Sequence, residues 1–340
     1  MHYLVTGHTG FKGAWLTMML ANAGHRVSGI SLDPVEGALY DVASVGDLVE
    51  HDLRGDIRDS DAVRSALSST QPDVVIHMAA QPLVRESYTS PRWTMETNVM
   101  GTFNVLDAVS RAPSVQAQVI VTTDKVYRNV NQVAGYVESD ALGGHDPYSS
   151  SKAMADLLTQ SWTASFPGCP TAIARAGNVI GGGDVSTDRL LPDLLRAFAD
   201  NRTAQIRYPD AVRPWQHVLD CLNGYAMLAE AVLAGSGSGQ WNFGPGPDSF
   251  VTVGAVADLA AGMWGADAGW TPTPGDHPHE AELLALDAKK ARTQLGWTDR
   301  LSFTESVQWT VDWTARVDRG EDPRTLCNEQ LSAFAQRGAS

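Results

Sequence analysis

The chain has 340 residues, enough at about 100–200 residues per domain for one large domain or two lobes. Hydrophobic residues make up 43% and charged residues 19%, near the globular average, which excludes wholesale disorder. The 25 lysines and arginines against 39 acidic residues leave a charge of −14 spread along the chain, so nucleic acid is repelled, although a cleft with a few cations still accepts a phosphorylated small molecule.

No apolar run approaches the roughly 18–20 residues of a membrane span, and the opening segment Met1–Gly10 has neither a basic leader nor a small-residue cleavage site. A cytoplasmic protein with no membrane partner is expected. Cys169, Cys221 and Cys327 are odd in number and far apart, which predicts reduced thiols rather than a disulfide framework or a cysteine zinc site.

The first half alternates short β-rich runs with longer helical stretches, the pattern of βαβ units around a parallel sheet. Predicted strands are His2–Thr6, Arg26–Leu32, Val74–Ala79, Gln118–Thr123 and Thr171–Ala176, all mostly apolar as strands covered on both faces should be. Predicted helices begin near Phe11, Ser60, Pro91 and Tyr148. After Ala176 the pattern is less regular, with glycine-rich turns at Gly181–Gly183 and Gly235–Gly239 and prolines at Pro214, Pro245 and Pro272, which suggests a smaller second lobe. A strand at Gln240–Phe243 is expected to return to the main sheet. The expected division is a cofactor domain over 1–176 with a returning segment of about 215–246, and a substrate lobe over 177–214 and 247–330.

Directly after the first strand comes Gly7-His-Thr-Gly10-Phe-Lys-Gly13, opening a helix. Glycines there let the backbone approach a pyrophosphate, which sits on the free N–H groups and positive dipole end of the helix. The motif makes Gly7, Thr9, Gly10, Phe11, Lys12 and Gly13 candidate contacts of a dinucleotide, and the fold class is α/β, a Rossmann doubly wound parallel sheet with a smaller C-terminal α/β lobe. Asp33, about 20 residues after the last glycine, suits an adenosine ribose diol and repels a 2′-phosphate, which favours NAD over NADP. Gly55-Asp56-Ile57 reads as the adenine edge.

Tyr148-Ser-Ser-Ser-Lys152 puts a phenol and an ammonium on one helix face, where a nearby cation favours phenolate and the tyrosine can exchange a proton with a hydroxyl while hydride moves. Thr122-Thr123-Asp124-Lys125 closes the strand Gln118–Thr123, at the sheet end where open α/β folds bind ligands. Asp124 is sited as a general acid for a leaving hydroxyl, and Thr123 as a hydrogen-bond partner of a reacting oxygen.

Gly7–Gly13, His77-Met-Ala-Ala80, Asn98-Val-Met-Gly101, Tyr148–Lys152 and Arg175-Ala-Gly-Asn178 together resemble the extended short-chain dehydrogenase/reductases that act on nucleotide sugars. Thr123-Asp124 resembles their 4,6-dehydratase branch. Within that branch, Gln81-Pro-Leu-Val-Arg85, Asp124-Lys125, Arg213-Pro-Trp-Gln-His217 and His277-Pro-His279-Glu280 are similar to the subgroup acting on CDP-glucose. The resemblance implies bound NAD, with Ala79, Ala80, Gln81, Asn98 and Thr122 joining Tyr148 and Lys152 among its contacts. It implies a nucleoside-diphosphate hexose as substrate, held by Gln81, Arg85, Ser87, Asn178, Arg213, His217, His279 and Glu280. It also implies a redox-neutral cycle: C4 oxidation, loss of water across C5–C6, and return of hydride to C6. Lys125 stands where most of the branch carries glutamate, so the C5 base would be a lysine that must first lose its proton.

His277 and His279 flank a proline with no third ligand evident, so no metal is expected. Trp297, Trp309 and Trp313 read as packing. A 4-epimerase would need only Tyr148 and Lys152, not Asp124-Lys125, and an NAD-binding regulatory protein would have lost these polar groups. A homodimer is expected, pairing helices over about Pro91–Val109 and Tyr148–Phe166, the second carrying Met154, Leu157, Leu158 and Trp162.

Overall fold

Side chains of a strand alternate between faces, so a strand that is apolar throughout needs a cover on each side. In the computed structural model, which describes residues 1–274 and 284–338, the first strand has that arrangement: Tyr3 and Val5 enter one core and Leu4 the other. Among the described residues the strands in chain order are β1 (His2–Thr6), β2 (Arg26–Ser31), β3 (Asp52–Arg54), β4 (Val74–His77), β5 (Ala117–Val121), β6 (Thr171–Ala176), β7 (Asn178–Ile180), β8 (Ala204–Ile206), β9 (Val212–His217), β10 (Gly239–Phe243), β11 (Phe250–Thr252) and β12 (Trp270–Pro272).

Seven of them form a parallel sheet in the order β3-β2-β1-β4-β5-β6-β10. The chain winds outward from β1 in one direction and, from β4, in the other, which opens a crevice at the carboxyl ends of β1 and β4. Helices Phe11–Asn22 and Val218–Leu233 cover one face, and Ser60–Thr70 with Gly101–Ser110 the other. Predicted strands ran one or two residues past the last paired residue at Leu32, at Met78 and Ala79, and at Thr122 and Thr123. These residues form the rim of the crevice, with Met78 N and Thr122 N still bonded to Thr6 O and Ala174 O of the neighbouring strands.

Caps fix where the helices start. Asp59 accepts hydrogen bonds from Asp61 N and Ala62 N, and Asp146 accepts from Ser149 N (2.8 Å) with Pro147 in the first turn, so the helix carrying Tyr148 begins at a defined residue. The helical run from Pro91 to Ser110 passes through a π-helical turn at Glu96–Met100, which turns Asn98 inward.

The second lobe has its own core of Leu191, Leu194, Phe198, Trp215, Val256 and Val311, with a three-stranded sheet β11-β9-β7 and the pair β12-β8. Trp297, Leu326, Leu331 and Phe334 pack into the first core, so the segment around Trp297 and the helix Pro323–Arg337 sit with the sheet, where their apolar faces are buried. No helix among the described residues is long and apolar enough to cross a membrane.

Candidate active site

The glycine-rich turn packs against the chain after β4 and on itself too closely for side chains at two of its positions. Gly7 has φ +81°, and a Cβ there would lie 2.8 Å from Ala79 N, while one at Gly13 would lie 2.1 Å from Gly7 O. Helix Phe11–Asn22 starts at Gly10 with no side-chain cap and no acid in its first turn, which leaves its N–H groups for an anion. Thr6 Oγ1 accepts from Met78 N and Ala79 N (both 3.1 Å), and so holds the chain after β4 against the turn. Thr9 Oγ1 reaches Ser31 Oγ (2.7 Å) and donates to Leu32 O (3.0 Å), joining the turn to the end of β2. Phe11 packs partly into the first core. Lys12 donates to the Tyr225 hydroxyl (2.9 Å) and lies over that ring.

At the expected ribose end, Asp33 follows β2 with its side chain 88% exposed and paired to Arg54 Nε at 3.2 Å. Arg54 carries no sequence signal, because β3 is a short polar edge strand; its register, Ser31 against Arg54, puts the guanidinium beside the end of β2. Asp56 lines an open hollow of about 430 Å³ with Arg58, Asp59, Glu96 and Met100 and is ion-paired to Arg58. Ile57 is turned inward: its side chain is core, packed at Gly101, and its carbonyl accepts from Asn104 Nδ2 (2.9 Å).

The structure gathers the five expected catalytic residues. Thr123 and Asp124 follow β5, and Thr123 Oγ1 donates to Asp124 Oδ1 (2.8 Å) and lies close enough to the Tyr148 phenol to help lower its pKa. Asp124 is 1% exposed, and its other carboxylate oxygen, Oδ2, is buried with no hydrogen-bond partner. Burial raises its pKa above the ordinary carboxylate range, against the opposing charges of Lys125 and Arg213. Burial likewise pushes the Tyr148 phenol up to about 12, with the charge of Arg189 pulling the other way. Arg189, which lies outside the expected motif, stands at the start of helix Leu190–Ala199. Lys152 donates to Val121 O (2.8 Å), and burial together with the charge of Lys12 brings its pKa down to about 8.

Beneath this cluster runs a buried polar chain. Thr122 Oγ1 donates to Asp156 Oδ2 (3.1 Å), and Arg175 grips Asp156 through Nε and Nη2 (both 2.8 Å). Arg175 also donates to Tyr127 OH (2.8 Å) and to Glu138 O (3.0 Å), and Tyr127 OH donates to Asn242 Oδ1 (2.7 Å). Every charge in the chain is partnered, so the strand end bearing Thr123 and Asp124 is held rigidly. Asn98 serves a similar end: it accepts from Gln81 N (2.8 Å) and donates to Gln81 O and Ser151 Oγ, which ties the turn after β4, half-buried Ala79 and Ala80 included, to the Tyr148 helix.

On the expected substrate side the residues divide. Arg213 lies in β9, 3% exposed, near enough for its charge to act on Asp124, and Asn178 opens β7 opposite Trp215. Arg85 is exposed and paired to Asp188 (2.7 Å) across the lobes. Gln81, Ser87 and His217, expected to touch substrate, have their side chains turned into the protein. Gln81 Nε2 donates to Leu83 O and Thr94 Oγ1, Ser87 Oγ donates to Val84 O, and His217 caps helix Val218–Leu233 through Nδ1 with its ring buried against Trp309. His279 and Glu280 lie outside the described residues. Among the described residues no cluster of His, Cys, Asp or Glu is arranged to hold a metal ion.

Residues 3–244 match the family model described as the NAD dependent epimerase/dehydratase family. The chain belongs to that family. Its cofactor is NAD, and the uncapped start of helix Phe11–Asn22, closely approached by the glycine-rich turn, fits a dinucleotide pyrophosphate. This family member is 43% identical, over 97% of its own length and 95% of the other protein, to a CDP-glucose 4,6-dehydratase of Salmonella typhimurium. It is 31% identical to a dTDP-glucose 4,6-dehydratase of Streptomyces antibioticus, with 92% of each chain covered. In fold it is similar to the dTDP-glucose 4,6-dehydratase of Bacillus anthracis in complex with NAD, with a TM-score of 0.81, 22% identity and coverage of 96% and 99%. A UDP-glucuronic acid 4-epimerase of Bacillus cereus has a TM-score of 0.82 at 22% identity, covering 93% of this chain and 100% of that one.

Proposed function

We propose that this enzyme dehydrates CDP-glucose to CDP-4-keto-6-deoxyglucose. The observation that carries the reading is the buried, hydrogen-bonded Thr123–Asp124 pair beside Tyr148, with Lys125 next in the chain, because a 4-epimerase has no use for an acid that can protonate a leaving C6 hydroxyl. The 43% identity to a CDP-glucose 4,6-dehydratase supports the choice of nucleotide.

In this reading Tyr148 takes the proton of the C4 hydroxyl, Thr123 bonds the C4 oxygen, and the charges of Arg189 and Lys152 favour the phenolate. Bound NAD supplies the hydride acceptor for C4 and the donor for C6. Once C4 is a ketone the C5 hydrogen is acidic, and Lys125 is placed to remove it. Asp124, whose protonated form burial favours, gives its proton to the departing C6 oxygen, so water leaves without an external acid. Arg213 and Asn178 hold the diphosphate, the guanidinium by pairing with two oxygens at once.

The protein works as a homodimer in this proposal. Met154 and Leu157 on the Tyr148 helix are 45% and 52% exposed and Met100 is 50% exposed, an apolar face that a second copy would cover. A cytoplasmic setting belongs to the same proposal, since the substrate and NAD are multiply charged and do not cross a membrane unaided. The decisive experiment incubates the enzyme and NAD with CDP-, UDP-, dTDP- and GDP-glucose and follows product mass and absorbance in alkali. Loss of one water from CDP-glucose, in preference to the others, supports the reading; isomerisation without loss of water would replace it with the epimerase.

A further inference from the structure

The expected ribose ligand, Asp33, does not stand alone. Its carboxylate meets Arg54 Nε at 3.2 Å, and Arg54 is itself fixed from behind. Asp52 accepts from both terminal nitrogens of Arg54, Nη2 at 3.0 Å, and Asp52 is braced by the buried His8, whose Nε2 lies 2.7 Å from Oδ1. The guanidinium also lies over the Tyr40 ring, 5.5 Å from its centroid, and the His8 ring meets that ring edge-on. His8 is part of the glycine-rich turn itself, so the turn that takes the pyrophosphate also anchors the cation at the ribose end. Arg54 keeps its side chain 35% exposed, beside the last paired residue of β2.

We propose that Arg54 shares cofactor selection with Asp33: it orients the Asp33 carboxylate toward the adenosine ribose diol, and it becomes a ligand for the 2′-phosphate of NADP once that carboxylate is removed. A 2′-phosphate on the ribose would arrive where the Asp33 carboxylate now sits, and an arginine at that point is the group that accommodates it. In the native chain, NADP exclusion therefore rests on Asp33 alone, because the cation beside it already favours phosphate. Two features keep Arg54 in place without Asp33: the two bonds it donates to Asp52 and the stacking on Tyr40.

Calorimetry on the purified protein tests this with no nucleotide sugar present, so the result is independent of the substrate assignment. The ligands are NAD, NADP, 5′-AMP and adenosine 2′,5′-bisphosphate, the last two isolating the adenosine end. For Asp33→Asn, NAD should bind about tenfold more weakly and NADP at least about tenfold more tightly than in the native chain, the weight of one charge-assisted hydrogen bond. Adenosine 2′,5′-bisphosphate should show the same gain and 5′-AMP none. The gain should shrink as salt is raised, and Asp33→Asn/Arg54→Gln should lose it while still binding NAD. Arg54→Gln alone should weaken NAD a few-fold. An Asp33→Asn protein with no gain for NADP, or a gain that survives loss of Arg54 or is indifferent to salt, would overturn the proposal.

Discussion

Replacing Arg175 by methionine leaves the Asp156 carboxylate, 0% exposed, without its two charge-assisted bonds at 2.8 Å. Removing one partner of a buried pair costs about 3–5 kcal/mol, because the desolvated charge left behind loses its counter-charge, and Asp156 keeps only the neutral donors Thr122 Oγ1 and Gln160 Nε2. Tyr127 OH and Glu138 O lose a donor as well, and each unmade hydrogen bond adds about 1 kcal/mol, so the upper half of that range is expected. Asp156→Asn alone strands the guanidinium in the same way. The double variant Asp156→Asn/Arg175→Met contains neither buried charge, so its loss of stability should fall at least about 2 kcal/mol short of the sum of the two singles. Urea unfolding followed by tryptophan fluorescence gives the four values of the cycle. If the singles cost less than about 1 kcal/mol, or if their effects simply add, the pair is not the support described here. Because Thr122 hangs from Asp156 and is followed by Thr123 and Asp124, turnover should fall in the single variants even at temperatures where they remain folded.

Asp220 predicts a pH dependence of stability. It accepts from Arg300 N (2.7 Å) and Leu301 N (3.3 Å), yet burial and the neighbouring charge of Asp299 raise its pKa to about 7. The folded state then holds a proton that the unfolded state, near pKa 3.9, gives up, so this residue's contribution is full below about pH 4 and is lost as pH rises toward 7. Melting curves across that range should show the slope, and Asp220→Asn should flatten it; an unchanged slope would remove Asp220 as its source. For the dimer, Met154→Glu/Leu157→Glu puts two charges into the exposed apolar face, and sedimentation should show a monomer where the native chain shows a dimer. A native chain that sediments as a monomer at micromolar concentration would end that reading.

The strands legible in the sequence are those buried on both faces. His2–Thr6 and Thr171–Ala176 agree in their limits with β1 and β6, since continuous apolar runs bounded by turns mark such strands unambiguously. β3 escaped notice because Asp52 and Arg54 are polar and the strand is held by pairing to β2 rather than by burial. The short strands of the second lobe, three residues long in β7, β8, β11 and β12, carry too few side chains to show a period. At the site, motif spacing located Tyr148, Lys152, Thr123 and Asp124, since those residues share one helix or one strand end. The partnerships of Asp156 with Arg175, of Asp33 with Arg54 and of Tyr148 with Arg189 are made by the fold between residues distant in the chain, and local spacing carries no trace of them. Gln81, Ser87 and His217 show the converse: polar residues inside a motif whose side chains satisfy the backbone around them.

The division of labour between Tyr148 and Asp124 is most directly tested in a single turnover of Asp124→Asn with CDP-glucose, observed at the NADH absorbance band. An amide cannot supply the leaving-group proton, so oxidation at C4 should proceed while elimination slows by about 10²–10⁴-fold, the usual weight of a positioned acid. NADH should accumulate, or equilibrate with the 4-ketohexose, whereas Tyr148→Phe should form little of either. Normal formation of the 4-keto-6-deoxy product by Asp124→Asn would contradict the account and leave Tyr148 and Lys152 as the machinery of an epimerase.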